Sequence, residues 1–501
     1  MKIRNILLSF VMLSLILSSC EEDFLETSPT DALSADVMFD SFDGAELALN
    51  GIYRTIYAFD GDGLGHHGAG YFGNVLDNDL LGEDMIRIDR GYGWYTGVYN
   101  WTDHRDADAG IPTGRWEFFY NIANQANIIL LYADDIDDAT QAEIDHVKGQ
   151  ARALRALSYY WLVQRYAHAY RLGDDNPGIP IYREPTQEGN PRSSVGEVYN
   201  FIVEDLEAAV ELFNNSPDPY HKQHISHINL TVAHGLYART ALAMENYDDA
   251  AHYADEAINA GSGESLFTPG DFAEDAHLLV SSVADEWIWG VILTAEHAPG
   301  YASFMSHMDS RFMTYAQLGG QVLLNAELYE NMADSDGRKN WWIDPADAVE
   351  DDDHFIPYNN SKFLTPEEGS WASDLPLMRL AEMYLIKAEA LARGGDEANA
   401  EQTLTEYMQS RDPNYGGPEG DLIDEIMFHR RIELWGEGFR FFDLQRTGTA
   451  LNRITGDDYG YHDGGMANIV ELDAGEDDWL FRIPQDEIDA NEAITGDDQN
   501  P

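Results

Sequence analysis

Cysteine and positive charge are what this 501-residue chain most lacks. Cys20 is its only cysteine, so neither a disulfide nor a cysteine-built zinc site can form within the chain. Lys and Arg number 30 against 90 Asp and Glu, a formal net charge of −60. A surface with three acids for every cation repels nucleic-acid phosphates and anionic lipid headgroups, which excludes both as ligands. No apolar run is long enough to cross a bilayer, which takes about 20 residues. The longest, Ile6 to Leu17, follows Lys2 and Arg4 and has the length of a signal-peptide core. Core-forming residues are not lacking. Hydrophobic residues make up 44% and aromatics 12%, so the acids coat a packed interior and do not mark a disordered chain.

The apolar run ends Leu17-Ser18-Ser19-Cys20, a bacterial lipobox. Residues 1–19 are therefore expected to be a signal peptide, with Cys20 the lipidated first residue of the mature chain. Several acyl chains, each methylene worth roughly 0.8 kcal/mol when buried, anchor such a chain durably. Cleavage removes Lys2 and Arg4 and takes the net charge from −60 to −62. Glu21-Glu22-Asp23 after the anchor resembles the surface-export signal of Bacteroidetes lipoproteins, which implies a body facing the medium.

The main internal pattern is helical. Val147, Ala151, Leu154, Leu157, Trp161 and Leu162 recur at three- and four-residue steps, predicting a helix that ends near Tyr166. The same reading predicts helices over 43–57, 115–132, 195–213, 232–243, 247–260, 377–392, 398–409 and 422–437. Small alanines at the contacts permit the close packing of tetratricopeptide-like helix pairs. Placing Tyr237, Ala241, Ala243 and Ala251 over Tyr384, Ala388, Ala390 and Ala398 gives a repeat offset of 147. The expected fold is mostly α, a superhelix of helix pairs in one body over 20–501. Its repeats fall at about 43–58, 115–260 and 377–447, supporting irregular, loop-rich binding regions at about 60–114 and 261–376, the latter with short strands.

The C-terminal third carries a set of motifs in fixed order. Leu380-Ala381-Glu382-Met383-Tyr384-Leu385 runs into Ala388-Glu389-Ala390, and Arg430-Arg431-Ile432-Glu433-Leu434 is followed by Glu437-Gly438, Arg440 and Phe442-Asp443-Leu444. Ile483-Pro484 with Glu487-Ile488, and then Gln499-Asn500-Pro501, close the chain. Upstream lie Gln150-Ala151-Arg152-Ala153-Leu154-Arg155-Ala156, Gly178-Ile179-Pro180 and Arg192-Ser193-Ser194-Val195. These segments resemble the SusD/RagB family of outer-membrane lipoproteins over nearly the whole chain. Gln150, Ser410-Arg411 and His429 depart from the family pattern on packing helices. The matched Arg430, Arg431, Glu433 and Arg440 are read as fixing helix contacts, not as touching ligand.

The resemblance implies a non-enzymatic protein that captures oligosaccharides, or in some members peptides. It also implies a SusC-like TonB-dependent transporter as partner, for which the protein acts as a lid during uptake. A glycoside hydrolase is the rival reading, since paired carboxylates are common among 90 acids.

A glycan site needs exposed flat rings for apolar C–H faces and polar neighbours for hydroxyls. The densest cluster is Trp94, Tyr95, Tyr99, Asn100 and Trp101, which lacks helical spacing and is read as a surface platform. Tyr71 and Asp79 could face the same cleft. Tyr301 with Phe304 is a second candidate, and Trp341, Trp342 and Trp371 stand in polar contexts. Trp287 and Trp289 alternate on one side of a strand and are assigned to the core. A neutral polysaccharide is the expected ligand, because like charge disfavours polyanionic ones.

Other signals are set aside. Gly63-x-Gly65-x-x-Gly68 is read as a loop, since no strand precedes it and no helix is expected after it. His221, His224 and His227 are read as a polar loop. Asp334-Ser335-Asp336-Gly337 has Pro345 where a calcium loop requires a bidentate acid. No cofactor is expected; a structural calcium ion at Asp60 and Asp62 or at Asp351 to Asp353 is the alternative left open.

Overall fold

The computed structural model describes residues 38–59, 64–216, 225–260, 265–274, 286–298, 300–350, 352–366 and 371–501. The lipobox with Cys20, Asp60, Asp62, Gly63, His221, His224 and Asp351 lie outside the described residues. Numbering the longer helices, α1 is Phe42–Tyr57, α2 Gly70–Leu81, α3 Gly110–Tyr132, α4 Gln141–Tyr166, α5 Val195–Asn215, α6 Leu230–Ala243, α7 Tyr247–Ala260, α8 Leu380–Arg393, α9 Glu397–Gln409, α10 Leu422–Glu433 and α11 Arg440–Thr447. Four short strands matter here: β1 Met85–Arg87, β2 Trp287–Val291, β3 Val322–Leu324 and β4 Leu375–Arg379. Among the described residues no helix is long and apolar enough to cross a membrane.

From α3 to α9 each helix packs on the next, and α10 packs on α8, so the pairs stack in chain order into a tetratricopeptide-like superhelix. Local chemistry starts these helices where the sequence places them. Thr140 and Ser194 cap α4 and α5 in reciprocal boxes with Glu143 and Glu197, satisfying orphan amides at both starts. Pro112 sits in the first turn of α3, where a missing amide is harmless, so that helix starts earlier than the apolar periodicity indicates. The repeat offset is 150, not 147: Ala243 and Arg393 end α6 and α8, Tyr247 and Glu397 start α7 and α9, and left-handed Glu245 and Gly395 turn the two corners. Alanine matching falls short by nearly one helical turn, because alanine occupies several positions on each face.

Two expectations fail for identifiable reasons. Residues 375–379 form β4, antiparallel to β2, and α8 begins only at Leu380. Trp287 and Trp289 of β2 are buried, as assigned. The second failure is α2, a wholly buried helix inside what reads as a loop region, following the Gly65–Gly68 turn. Its Asn74, Asp77, Asn78 and Asp79 look solvent-facing in sequence. In the fold Arg165 donates to Asn74 and Asn78, Arg115 Nε donates to Asp77 at 2.6 Å, and the Gly438 amide donates to Asp79 at 2.9 Å. Partners between 38 and 359 positions away hold these groups in the core, where Asp77 Oδ1 stands 3.5 Å from His67 Nδ1.

The family-like motifs are structural, as read. Glu433, at the end of α10, accepts from Arg379 at 2.8 Å, Arg411 at 3.0 Å and Tyr407 at 2.5 Å. Arg430 pairs with Asp443, Arg431 with Asp84 and Arg440 with Glu83. The departures are accommodated: Gln150 accepts from Tyr53 at 2.6 Å, and Arg411 also reaches Glu286 at 2.8 Å. His429 lies 3.0 Å from Arg338.

Burial alone would raise the Glu433 pKa, but Arg411, Arg379 and Arg338 outweigh it and hold the carboxyl well below its ordinary range. Removing the charge leaves Arg379, Arg411 and Arg338 only Glu286, Glu437 and Asp336, with Lys362 also on Glu437, so one buried positive charge loses its counter-charge. Glu433→Gln is therefore expected to lower stability by roughly 3–5 kcal/mol, read as the urea midpoint; an unchanged midpoint would contradict this role. Asp79 is the opposite case. Burial pushes its pKa from 3.8 up to about 8, against the Gly438 amide. A folded pKa raised above the unfolded one gives stability that is complete below about pH 4 and is lost as pH rises toward 8. Asp79→Asn cannot ionise, so it should overtake the wild type by at least about 1 kcal/mol at pH 8 and match it near pH 4; parallel urea curves at the two pH values decide.

Candidate functional site

The exposed aromatic surface is built on the Gly65–Gly68 turn. Gly65 has φ 55°, and a Cβ there would stand 2.3 Å from the Trp94 indole, so only glycine lets the ring lie against the turn. The His66 ring stacks on Trp94 with centroids 4.5 Å apart and planes 9° from parallel. His66 Nδ1 lies 3.0 Å from Nε2 of His307, which belongs to the short helix Phe304–Met308. The Tyr315 hydroxyl accepts from the Trp94 amide at 3.1 Å, and the Arg87 guanidinium at the end of β1 donates to the Trp94 carbonyl. β1 is itself held by its ladder to β3.

Tyr95 has φ 60°, a left-handed conformation uncommon outside glycine. That reversal sends the Tyr95 ring inward, where its hydroxyl donates to the His66 carbonyl at 3.0 Å, while Trp94 stays half-buried at the rim. Tyr92, 74% exposed, stands 6.2 Å from the Tyr315 ring. The Gly300–Ala302 turn packs on the Gly65–Gly68 turn and brings up Tyr301, which meets Trp371 edge to face at 4.3 Å. Tyr92, Trp94, Tyr301 and Trp371 thus gather around the Gly65–Gly68 turn with their rings at least partly exposed.

The rings rest on uncharged imidazoles, while exposed Asp89 and Arg90 stand just before Tyr92. Burial, reinforced by neighbouring His67, pulls the His66 pKa down to about 4, and burial pushes His307 well below its ordinary value. Both imidazoles are neutral at neutral pH, so one donates and the other accepts across their 3.0 Å contact. The nearby Asp77 is committed to Arg115: burial raises its pKa, Arg115 overcomes this, and the carboxyl sits at about 2. Among the described residues no group of three or more His, Cys, Asp or Glu side chains is arranged to hold a metal ion. An uncharged, partly exposed ring surface can stack on apolar ligand faces, with backbone and side-chain polar groups at its rim.

The structure leaves some of the expected site residues at the surface and buries the others. Trp94 and Tyr301 are on the surface, and Asn100 is half-buried. Tyr95 and Phe304 belong to the layer beneath it, within ring contact of His307 and Phe72 respectively. Tyr71 lies in α2 against Trp161 at 5.0 Å. Tyr99 is buried with its hydroxyl 2.5 Å from His462 and the Arg453 guanidinium over its ring. Trp101 is buried against Trp479 at 5.0 Å and donates to the Leu81 carbonyl. Trp342 packs on Trp435 and beside buried Trp341. These side chains, with Asp79, are internal and cannot form a platform. Sequence reasoning missed Tyr92, His66, His307 and Tyr315. Gly91-Tyr92-Gly93-Trp94 held a usable signal, since flanking glycines supply no side chains to cover a ring.

The model described as the SusD family matches residues 309–501, and one described as starch-binding associating with outer membrane matches residues 74–242. SusD-like protein P38 of Formosa agariphila is 22% identical over 500 positions, covering 90% of this chain and 93% of that protein. A SusD-like carbohydrate binding protein from Bacteroides vulgatus superimposes with a TM-score of 0.78 at 26% identity, over 92% of this chain and 98% of its own. Surface glycan-binding protein A of Bacteroides thetaiotaomicron, in complex with laminarihexaose, shares the fold with a TM-score of 0.68 at 19% identity, over 91% of this chain and 99% of its own. With the front and back of the chain both matched and relatives aligned end to end, the chain belongs to the SusD/RagB family of SusD-like, outer-membrane-associated carbohydrate-binding proteins.

Proposed function

We propose that this protein captures neutral oligosaccharides or polysaccharide on the Tyr92, Trp94, Tyr301 and Trp371 surface and passes them to a SusC-like TonB-dependent transporter. The stacked, uncharged Trp94–His66 pair carries this reading. Stacked Trp94 and His66 offer a flat, rigid face to sugar C–H groups, and the neutral imidazoles bring no cation to draw a polyanion. The protein binds without hydrolysing; a lipid at Cys20 holds it on the outer membrane with its body in the medium. Each aromatic contact is worth on the order of 1 kcal/mol beyond burial, so a few of them give micromolar to millimolar affinity. Weak single contacts suffice where several anchored copies engage one polymer and the cargo must then be released.

Titration of the soluble mature chain, with Cys20 replaced, against neutral glucans, mannans, xylans and galactans tests this. Saturable binding is expected, weakened about fivefold to tenfold by Trp94→Ala with the urea midpoint nearly unchanged. Binding of peptides alone would replace the ligand class, and sustained release of reducing ends would make the protein a hydrolase.

A further inference from the structure

Three concavities away from the ring surface join into one furrow. The first, about 530 Å³, is lined by Thr55, Leu64, Gly68, Thr113 and Phe118 among others. The second, about 380 Å³, lies against Trp116, Tyr120, Asn124 and Tyr182. The third, about 650 Å³, reaches Asn190, Asn200 and Phe201. Glu117 and Asn121 line both the first and the second, and Tyr182, Glu184 and Thr186 line both the second and the third. The furrow therefore follows α3 and continues along the segment that leads to α5. It begins at Leu64 and Gly68, on the turn whose Gly65 and His66 support Trp94. Each concavity has the size of a small-molecule site, and together they have the form of a track.

The lining fits a neutral sugar chain. Half-buried Tyr120 and Tyr182 stand 5.7 Å apart along it, with buried Trp116 supporting Tyr120 from beneath at 4.8 Å. Thr113, Asn124 and Asn200 make no side-chain hydrogen bond among the described residues, which leaves hydroxyl and amide groups for a ligand. The two cations of the lining are committed, Arg115 to Asp77 at 2.6 Å and Arg183 to Glu204 at 2.9 Å. Carboxylates at Glu184 and Glu188 can accept from hydroxyls and repel anions.

Resting on the reading of the ring surface as a glycan site, we infer that the furrow is a second carbohydrate subsite that takes the continuation of a chain already stacked at Trp94. The preferred ligand is then a long neutral polymer. A polymer filling both subsites binds the second as an intramolecular event, so affinity rises with chain length although each contact is weak.

The test uses the same neutral glycan panel, each member offered as a short oligosaccharide and as its parent polymer. The wild type should bind the polymer at least about tenfold more tightly per chain. Asn124→Lys projects a long side chain into the furrow from an exposed helix position, so it should abolish that gain and leave short-oligosaccharide affinity unchanged. Tyr120→Ala should act alike, and Trp94→Ala should weaken both lengths. Equal affinity for both lengths, or a gain that survives Asn124→Lys, overturns the furrow and leaves the ring-surface site standing. A cationic oligopeptide that binds saturably and is lost in Asn124→Lys, without glycan length dependence, assigns the furrow to peptides and overturns it too. Absence of binding across the panel overturns the ring-surface reading and the furrow with it.

Discussion

A buried carboxylate, that of Glu433, organises the side of the molecule from which the aromatic surface is held. It is shared by Arg379 and Arg411, which also reach Glu286, while Arg379 and Lys362 meet at Glu437. Such a network gives little net stability over an apolar core, but a missing member leaves a charge stranded in low dielectric, so the geometry is strongly specified. From there contacts lead outward. On α10, Arg431 takes Asp84, and the Trp435 indole just beyond it donates to the Asp84 carbonyl at 3.1 Å. Asp84 directly precedes β1, and β1 delivers Arg87 to the Trp94 carbonyl. A second line passes from Gly438 to Asp79 and along α2 to the Gly65–Gly68 turn. The ring surface is irregular in backbone yet fixed in place because both lines start in a core that cannot rearrange cheaply.

The network also explains how a chain so short of cations uses them. Among the described residues thirteen Lys and Arg are buried, and thirteen Asp and Glu as well. The interior is formally balanced while the surface keeps the entire excess of acid. Composition alone gives three acids per cation; the outer shell has more than four. Arginine serves the interior well because its planar fork meets two or three acceptors at once, as Arg379 does with Glu286, Glu433 and Glu437. The negative coat is thus a by-product of where the arginines are needed as well as of how many acids there are.

The superhelix was legible because its information is local: apolar spacing, capping boxes at Thr140 and Ser194, and small residues at the contacts. The ring surface was legible only where a side chain's exposure depends on its own neighbours. Trp94 and Tyr301 are of that kind. Tyr99 and Trp101 are not, since what covers them is His462 and Trp479, more than 360 positions away. The same remoteness hid α2, whose polar residues find partners in Arg115, Arg165 and Gly438. Aperiodic aromatics in a glycine-rich stretch were therefore a fair sign of irregular backbone and a poor sign of exposure.

Charge on the coat and neutrality at the rings act over different distances. At about 0.15 M salt the screening length is roughly 8 Å, so the acidic coat opposes a polyanion during approach and fades at contact. At contact, local chemistry decides. The coat's negative field favours imidazolium, yet burial outweighs it at His66 and His307, and the rings stay uncharged. A ligand of any sign therefore meets an apolar face, and only its approach distinguishes polyanions from neutral chains. Discrimination by approach acts on the association rate, whereas stacking governs residence. Under the proposed glycan capture, the coat slows the approach of a polyanion while stacking alone sets how long a neutral chain stays.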